Sequence, residues 1–490
     1  MTPLRALLLL HLLLLPRAVT AQPYFAVARD AATGAWWLQR DGANFFYRGV
    51  TSVNRGGERE GATGPYYNVT LQRYGAAPGA FASAVWQRLR DWRFSALGAW
   101  STPEFWSDAP DALPYTVDIE ATFAAPAAVR ITGTNMPDVF DPAWLAYLDG
   151  RAAAAAAATA AAPRNLVGYF TDNELSWPTL CSAFRCPPAT AQPKALAEQG
   201  LGLLQQCLSL DAARPAAGAA WAFALARHGG SLAALSAAWQ LPTPLASRAD
   251  LRALYTAQNL TIDSPGLRED EDAWLGPGGY GGAYFNATAA AVRRHDARHL
   301  LLGCKFGAPV SDAVYAANAA GHDVVSLDNY RYDMAARVRA AGRGGSAPVL
   351  VAEFSWEGSG CPVAPGADEL GCCTPGAPPA EGGFACAVPL ETPANNLTNL
   401  ERMYCNGGAS LVAALAEKSC VGWTWYRWVD EGSEAASPFT QLGLVDLRDR
   451  AKSLAVAVLA PLNAAAEGVH AAGGLGRNAT GTWLDFCPFY

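Results

Sequence analysis

Short apolar runs rich in β-branched and aromatic residues recur along the chain, and stretches with helical spacing separate them. Eight such runs occupy residues 45–54, 94–102, 115–120, 165–174, 299–307, 323–332, 348–356 and 420–430. Their near-continuous hydrophobicity is typical of strands buried on both faces of a parallel sheet. Helix-compatible sequence follows nearly all of them, which is the pattern of repeated βα units. The pattern predicts an α/β protein folded as a (β/α)8 barrel, also called a TIM barrel.

Three segments interrupt or precede this alternation. A hairpin-like stretch, WWLQRDGA, comes before the first run. Residues 178–298, after the fourth strand, contain helical apolar spacing and are predicted to form a helical excursion from the barrel. Residues 357–394, after the seventh strand, are rich in Cys, Pro and Gly and are predicted to form a loop. The alanine-rich segment 151–163 is predicted to be a helix on the outside of the barrel.

The first residues have the pattern of a secretory signal peptide. Arg5 precedes an apolar run that ends at Pro16, and Val19-Thr20-Ala21 supplies small residues for cleavage. The run is too short to span a bilayer, so we expect a signal peptide at 1–21, a barrel domain at 22–490 and no membrane attachment after cleavage. The chain is then secreted or lies in the lumen of the secretory pathway. Sequons for N-glycosylation agree with export, at Asn68, Asn259, Asn286, Asn396 and Asn478.

Cysteine usage also fits an oxidising compartment. Five of the 11 cysteines fall between Cys361 and Cys405, and Cys181 and Cys186 form another close group. We expect disulfides, and hence a disulfide-rich loop after the seventh strand. A zinc site is the alternative, but 361–405 contains no histidine and its spacings are irregular. Cys304, in LLLGCKFG, is predicted to be an unpaired buried thiol. The net charge of −7 gives no reason to expect nucleic acid as a partner.

The carboxyl ends of the predicted strands should form the active face of such a barrel. Few ionisable groups besides two glutamates, Glu174 and Glu353, end a strand. Amide and aromatic side chains accompany them. These are Asn54, Trp100, Asn173, Tyr330, Trp356 and Trp425.

Two glutamates that face each other across a barrel mouth can perform retaining glycoside hydrolysis. One donates a proton to the leaving oxygen, and the other attacks the anomeric carbon. Tryptophans suit a sugar, because its apolar faces stack on indole rings. The competing interpretation for Glu174 is a helix N-terminal carboxylate, which leaves Asn173 and Glu353 unexplained. A metal site has no partner ligands in the sequence, and neither a metal nor a cofactor is expected.

At these residues the chain resembles clan A of the glycoside hydrolases, with the closest likeness to the family 50 β-agarases and the related family 42 β-galactosidases. The resemblance implies that Glu174 is the acid/base, Asn173 binds the 2-hydroxyl and Glu353 is the nucleophile. It further implies that Tyr330 hydrogen-bonds the nucleophile and that Trp425 is a stacking platform. One departure is Thr424, where such enzymes often have His. The segments that carry the resemblance are NMPDVFDPAW, GYFTDNELSW, ARHGGSLAALSAAW, LLGCKFG, VAEFSW, GWTWYRWVD and LGLVDLRD.

The sequence therefore predicts a secreted, retaining β-glycoside hydrolase that acts on a polysaccharide or oligosaccharide, with agarose or another β-galactoside as candidate substrates. Two alternatives stay open at this stage. One is a cell-wall transglycosylase on the same fold, and the other is a catalytically silent sugar-binding barrel.

Overall fold

A small antiparallel sheet opens the described part of the chain. The computed structural model describes residues 24–57, 64–77, 79–122, 125–131, 134–175, 177, 202–256, 264–331, 333–356, 399–430 and 442–473. Strands β1 (Phe25–Arg29), β2 (Trp36–Arg40) and β3 (Ala43–Phe45) pair in that order, and the expected hairpin is the β2–β3 pair. Phe25 and Leu38 pack with residues at the start of the barrel strands, so this sheet covers the amino-terminal end of the barrel.

Eight parallel strands follow, and each lies within one of the eight predicted runs. They are β4 (Tyr47–Val50), β5 (Ala96–Leu97), β6 (Tyr115–Asp118), β7 (Leu166–Phe170), β8 (Leu300–Leu301), β9 (Val325–Asp328), β10 (Val349–Phe354) and β11 (Cys420–Trp425). The sheet order is β8-β7-β6-β5-β4-β11-β10-β9. A parallel bridge between Phe306 and Leu327 joins the segment after β8 to β9 and brings the two ends of the sheet together. The predicted TIM-like barrel is confirmed.

Helices cover the outside of the sheet. In chain order they are α1 (Pro65–Tyr74), α2 (Ala80–Asp91), α3 (Pro142–Thr159), α4 (Leu203–Ser209), α5 (Pro215–Arg227), α6 (Leu232–Ala238), α7 (Arg248–Thr256), α8 (Pro265–Leu275), α9 (Tyr280–His295), α10 (Asp312–Gly321), α11 (Met334–Ala341), α12 (Asn399–Leu415) and α13 (Ser453–Ala471). Short 3-10 turns occur at Pro103–Phe105 and Ala127–Val129.

The alanine-rich segment forms most of α3. Asp141 caps this helix by accepting a 2.8 Å hydrogen bond from the Ala143 amide, and Pro142 occupies its first turn. Trp144 is buried and stacks against Tyr284 of α9. The prediction of an outer helix is confirmed, and the six helices α4 to α9 form the predicted excursion between β7 and β8.

Helix α13 is long and apolar enough to cross a membrane by length and composition, and it is the one such helix among the described residues. Its face toward the barrel is buried, and Asn463 on that face accepts a 3.0 Å hydrogen bond from the Trp423 indole. In this structure α13 therefore packs as a core helix.

Several sequence predictions lie outside the described residues. They are the signal peptide, the loop at 357–394, the side chains of the cysteines expected to form disulfides, and the sequons at Asn259, Asn396 and Asn478. The other two sequon asparagines, Asn68 and Asn286, are exposed on helices. Cys304 is buried and unpaired, as predicted.

Candidate active site

A β-bulge in β10 directs Glu353 to the mouth of the barrel. Val349 and Val351 pack outward toward the helices, whereas Leu350 and Ala352 pack inside the barrel. Simple alternation would therefore turn Glu353 outward with Val349 and Val351. The register shifts by one residue between Val351 and Glu353 against β9, with a matching shift against β11. Bulges of this kind re-aim side chains and are common beside active sites.

The buried carboxyl of Glu353 is held at both oxygens. The phenol of Tyr330 donates a 2.5 Å hydrogen bond to Oε2, and the ammonium of Lys305 lies 3.4 Å from Oε1. Burial raises the pKa of Glu353 to about 7, although Lys305 and the Tyr330 hydrogen bond both act to lower it. The pKa of Tyr330 is also raised, by burial and by the charge of Glu353, so its phenol stays a neutral donor. The predicted partners Tyr330 and Glu353 are thus in direct contact.

Glu174 follows β7 with its backbone in the left-handed region, at a φ of 45°. Its amide donates a 3.1 Å hydrogen bond to the carbonyl of Lys305, which ties it to the next strand of the barrel. Its carboxyl lies against Gly307, and the residue as a whole is exposed. The charge of Glu174 raises the pKa of Glu353, so the two predicted catalytic carboxyls lie within electrostatic range of each other.

Two amide oxygens at the strand ends receive no hydrogen bond from the part of the chain that the structure describes. They are Oδ1 of Asn173 and Oδ1 of Asn54, and both atoms are buried. The Asn54 amide nitrogen is fixed by a 3.2 Å hydrogen bond to the Ser52 carbonyl, which orients the side chain. Buried acceptors without a donor are costly, and a substrate hydroxyl can satisfy them.

The structure separates the four predicted aromatic side chains into two groups. Trp100 and Tyr330 lie at the barrel mouth. Trp425 and Trp356 instead pack in the core: their ring centroids are 5.4 Å apart, and the Trp425 indole donates a 3.0 Å hydrogen bond to the Leu442 carbonyl. The strand alternation accounts for this difference, because Trp425 shares the outward face of β11 with Trp423.

Tyr426, and not the predicted Trp425, lies at the barrel mouth. Its ring centroid lies 6.5 Å from that of Trp100 and 6.0 Å from that of Tyr330, with both pairs nearly perpendicular. It directly follows β11, and counting the strand alternation one residue further would have identified it.

The sequence expectation that few other ionisable groups end a strand was wrong. Asp118 ends β6, Lys305 follows β8 and Asp328 ends β9. Lys305 forms a 2.9 Å ion pair with Asp118 in addition to its contact with Glu353. Glu120, just after β6, accepts a 3.4 Å hydrogen bond from the Trp100 indole. Each of these residues lies in or beside a run dominated by apolar residues, and no local pattern in the sequence marks it as part of the site.

Asp328 is a third acidic group between the two glutamates. It is buried beside Glu353 in the sheet register, and neither of its oxygens receives an N–H or hydroxyl donor from a described residue. Burial raises the pKa of Asp328 well above its ordinary range, with the charge of Glu353 acting in the same direction. Its carboxyl neighbours that of Glu174, whose charge acts in the same direction. Burial and the two glutamates therefore all oppose ionisation of Asp328.

Strained backbone is concentrated at the same face. Five non-glycine residues that follow β4 to β8 have φ values of 45–59°: Ser52, Trp100, Glu120, Glu174 and Lys305. Each such conformation costs on the order of 1–3 kcal/mol and clusters at functional sites. Within the described ranges, no group of three or more His, Cys, Asp or Glu side chains is arranged to hold a metal ion.

Thr424 occupies the inside of the barrel. A Cβ at Gly98 would lie 2.5 Å from its methyl group, and a Cβ at Gly49 would lie 3.1 Å from it. The position is thus closely packed between two glycines, and a larger side chain would need a different arrangement of β4 and β5.

These features define a class of protein: a (β/α)8 barrel that carries two carboxyl groups, Glu174 and Glu353, at the carboxyl ends of its strands. No protein-family model matches the chain. β-Agarase A of Vibrio sp. (strain JT0107) is 26% identical over 294 residues, which are 58% of this chain and 27% of that protein.

Solved structures extend this likeness to the whole fold. An exo-β-agarase has a TM-score of 0.66 and 19% identity, covering 92% of this chain and 65% of that chain. The protein PfGH50B has a TM-score of 0.65 and 19% identity, with 92% and 66% covered. The agarase AgWH50C has a TM-score of 0.63 and 18% identity, with 91% and 65% covered.

The chain is therefore related to the family 50 β-agarases, which confirms the predicted resemblance. It spans about a quarter of the curated relative and less than two thirds of the solved chains.

Proposed function

We propose that this protein is a retaining β-glycoside hydrolase that acts on an oligosaccharide or polysaccharide, with agarose or another β-galactoside as the first candidates. The observation that carries the proposal is Glu353, a buried carboxyl that a β-bulge directs to the barrel mouth, where Tyr330 and Lys305 hold its two oxygens. The kinship with agarases supports a galactan as the substrate.

In the proposed reaction, Oε of Glu353 attacks the anomeric carbon while the glycosidic C–O bond breaks. The proton of Glu174 passes to the leaving oxygen, which departs as a free hydroxyl. In the second step Glu174 takes a proton from water, the water oxygen bonds to the anomeric carbon, and the ester to Glu353 breaks. The net result is hydrolysis with retention of the β configuration.

The remaining groups at the mouth have roles in binding the sugar. Asn173 and Asn54 present buried amide oxygens that receive no hydrogen bond from the described residues, and these oxygens can accept hydrogen bonds from sugar hydroxyls. Trp100 and Tyr426 supply aromatic surface, which suits the apolar faces of a pyranose. We further propose that the chain is exported, on the basis of the signal-like residues 1–21 and the sequons.

A substrate screen tests the activity, and azide rescue tests the two roles separately. Agarose, β-galactosides, β-mannan and β-glucan are the substrates to compare. With an aryl β-glycoside of the sugar that is hydrolysed, Glu353→Ala plus azide should yield the α-glycosyl azide. Glu174→Ala plus azide should yield the β-glycosyl azide, because the nucleophile still forms the glycosyl-enzyme. Activity of either variant within about tenfold of the wild type, without azide, would contradict the assignment.

The same experiments address the two alternatives. A transglycosylase would transfer the glycosyl group to an added sugar acceptor in preference to water. A sugar-binding barrel would bind the substrate and release no product.

A further inference from the structure

Lys305 is a fully buried cation in the middle of the acidic groups at the barrel mouth. It follows β8, in the sequence LLGCKFG, and its backbone φ is 46°. Lysine is almost never fully buried unless it is paired. A strained backbone and a buried charge at one position both carry a cost, which points to a specific role.

The ammonium of Lys305 has a partner in each of three directions. Asp118 Oδ2 lies 2.9 Å away, Glu353 Oε1 lies 3.4 Å away, and the centroid of the Trp100 ring lies 3.4 Å away. Asp118 is itself fixed, because its Oδ1 accepts a 2.9 Å hydrogen bond from the Glu120 amide. The ammonium is therefore enclosed by groups of the protein itself and is fully buried, which favours a role toward these groups over direct contact with a substrate.

The main chain of Lys305 contacts the other glutamate. Its carbonyl accepts the 3.1 Å hydrogen bond from the Glu174 amide, and its own amide donates to Ser326 Oγ at 2.9 Å. A single residue thus fixes the backbone of Glu174 and the carboxyl of Glu353.

We propose that Lys305 is a positioning residue that holds Glu353 in place for attack and sets the spacing between the two glutamates. This inference rests on the proposed function. Tyr330 restrains Oε2 and Lys305 restrains Oε1, so the carboxylate cannot rotate between turnovers.

The charges of this cluster explain why Asp118 accompanies Lys305. With Glu353 ionised, Asp118, Lys305 and Glu353 carry a net charge of −1, which favours the positive charge that develops on the sugar in the transition state. When Glu353 becomes an ester, Lys305 and Asp118 remain as a neutral pair. The buried cation therefore never loses its last counter-ion during the cycle.

The first test compares Lys305→Met, Lys305→Arg and Asp118→Asn with the wild type. Lys305→Met should lower kcat about 100-fold, the scale expected for one preorganised electrostatic contact, and change KM less than about threefold. In the pH profile of kcat/KM for this variant, the acidic limb should move to higher pH, because the charge that lowers the pKa of Glu353 is gone. Asp118→Asn should move the limb in the opposite direction. Lys305→Arg keeps the positive charge but not the shape of the ammonium, so its pH profile should stay closer to that of the wild type than the profile of Lys305→Met.

A merely structural role would lower the unfolding temperature and leave the pH profile unchanged. An unchanged profile in Lys305→Met, or a kcat within about threefold of the wild type, overturns the proposal. If Lys305→Met does not fold, Asp118→Asn keeps the test open, because its profile must move to lower pH. A profile that stays in place or moves upward overturns the proposal.

A second test needs no substrate and separates this inference from the proposed function. Unfolding is measured for the wild type, Lys305→Met, Glu353→Gln and the double variant. Lys305→Met should destabilise the Glu353→Gln background less than the wild type, because one of its two ion pairs is already lost. If Lys305→Met destabilises both backgrounds equally, the pairing of Lys305 with Glu353 is contradicted, even if the enzyme is active. If the wild type hydrolyses no β-glycoside, the proposed function is contradicted. The unfolding measurements on the four proteins still test the contact between Lys305 and Glu353.

Discussion

The carboxyl of Glu174 lies directly against the backbone of Gly307. A Cβ at residue 307 would approach Oε1 of Glu174 to 2.6 Å and its carboxyl carbon to 2.7 Å. Distances below 3.0 Å force one group to move, and the flexible end of Glu174 is the group that can do so. The position of the proposed acid/base therefore depends on a glycine in the neighbouring βα loop.

Gly307→Ala should displace the Glu174 carboxyl without disturbing the fold. We expect kcat to fall about 100-fold, because a shift near 1 Å in a reacting group has this scale of effect. The unfolding temperature should change little. Gly150→Ala is the matched control, since Gly150 lies in α3 with nothing within 4 Å of the added Cβ. It should keep full activity and be stabilised by about 0.5–1 kcal/mol. Equal activity of the two variants would show that the contact does not matter.

Tyr330→Phe removes one of the two restraints on Glu353. A hydrogen bond to a charged group contributes about 1.5–3 kcal/mol, so kcat should fall about 10- to 100-fold. Since the Tyr330 hydrogen bond lowers the pKa of Glu353, its loss should move the acidic limb of kcat/KM to higher pH. A pH–rate profile of the variant checks both effects, and a profile that coincides with that of the wild type would argue against the contact.

The effect of Glu353→Gln on the stability of the folded protein, relative to the wild type, should be more favourable at high pH than at low pH. The folded-state pKa of Glu353 is raised to about 7, so its contribution to stability is fully present at low pH and is lost as the pH rises toward and through 7. Glutamine does not titrate. The difference in unfolding temperature, variant minus wild type, should therefore be larger at pH 8 than at pH 5. Glu269→Gln, on the exposed side of α8, is the control and should show no such trend.

Tyr426→Ala and Trp425→Ala should affect different properties, although the residues are adjacent: the first should weaken substrate binding and the second should destabilise the fold. Tyr426 is half-buried beside Trp100 at the mouth, so its loss should raise KM about tenfold, or about 1.4 kcal/mol, with little change in unfolding temperature. Trp425 is fully buried, so its loss should destabilise the fold by about 3–5 kcal/mol. A folded Trp425→Ala variant with a selective rise in KM would restore Trp425 as the sugar platform.

The sequence predicted the barrel well because each buried strand shows a hydrophobic run, and all eight strands lie within those runs. It also placed Glu174, Glu353 and Tyr330 correctly at strand ends. Trp425 and Trp356 were placed wrongly because hydrophobic runs do not show which face a residue takes. The bulge in β10 is equally invisible in the sequence, yet it turns Glu353 inward.

Lys305 and Asp118 show a different limit. They lie almost 190 residues apart in the chain, and no local pattern links a lysine after β8 to an aspartate at the end of β6. Their contact arises from the closure of the barrel, which brings the strand ends together.

The most direct measurement of the central claim is the capture of the glycosyl-enzyme. The protein is incubated with 2-deoxy-2-fluoro-β-galactosyl fluoride, or with the fluoro analogue of whichever sugar the substrate screen identifies, and the labelled peptide is found by mass spectrometry. We predict a single added glycosyl group on Glu353, formed with loss of fluoride and of activity, and no label in Glu353→Gln. A label on another residue, or unlabelled enzyme that continues to hydrolyse the parent glycoside with inversion, would contradict the account.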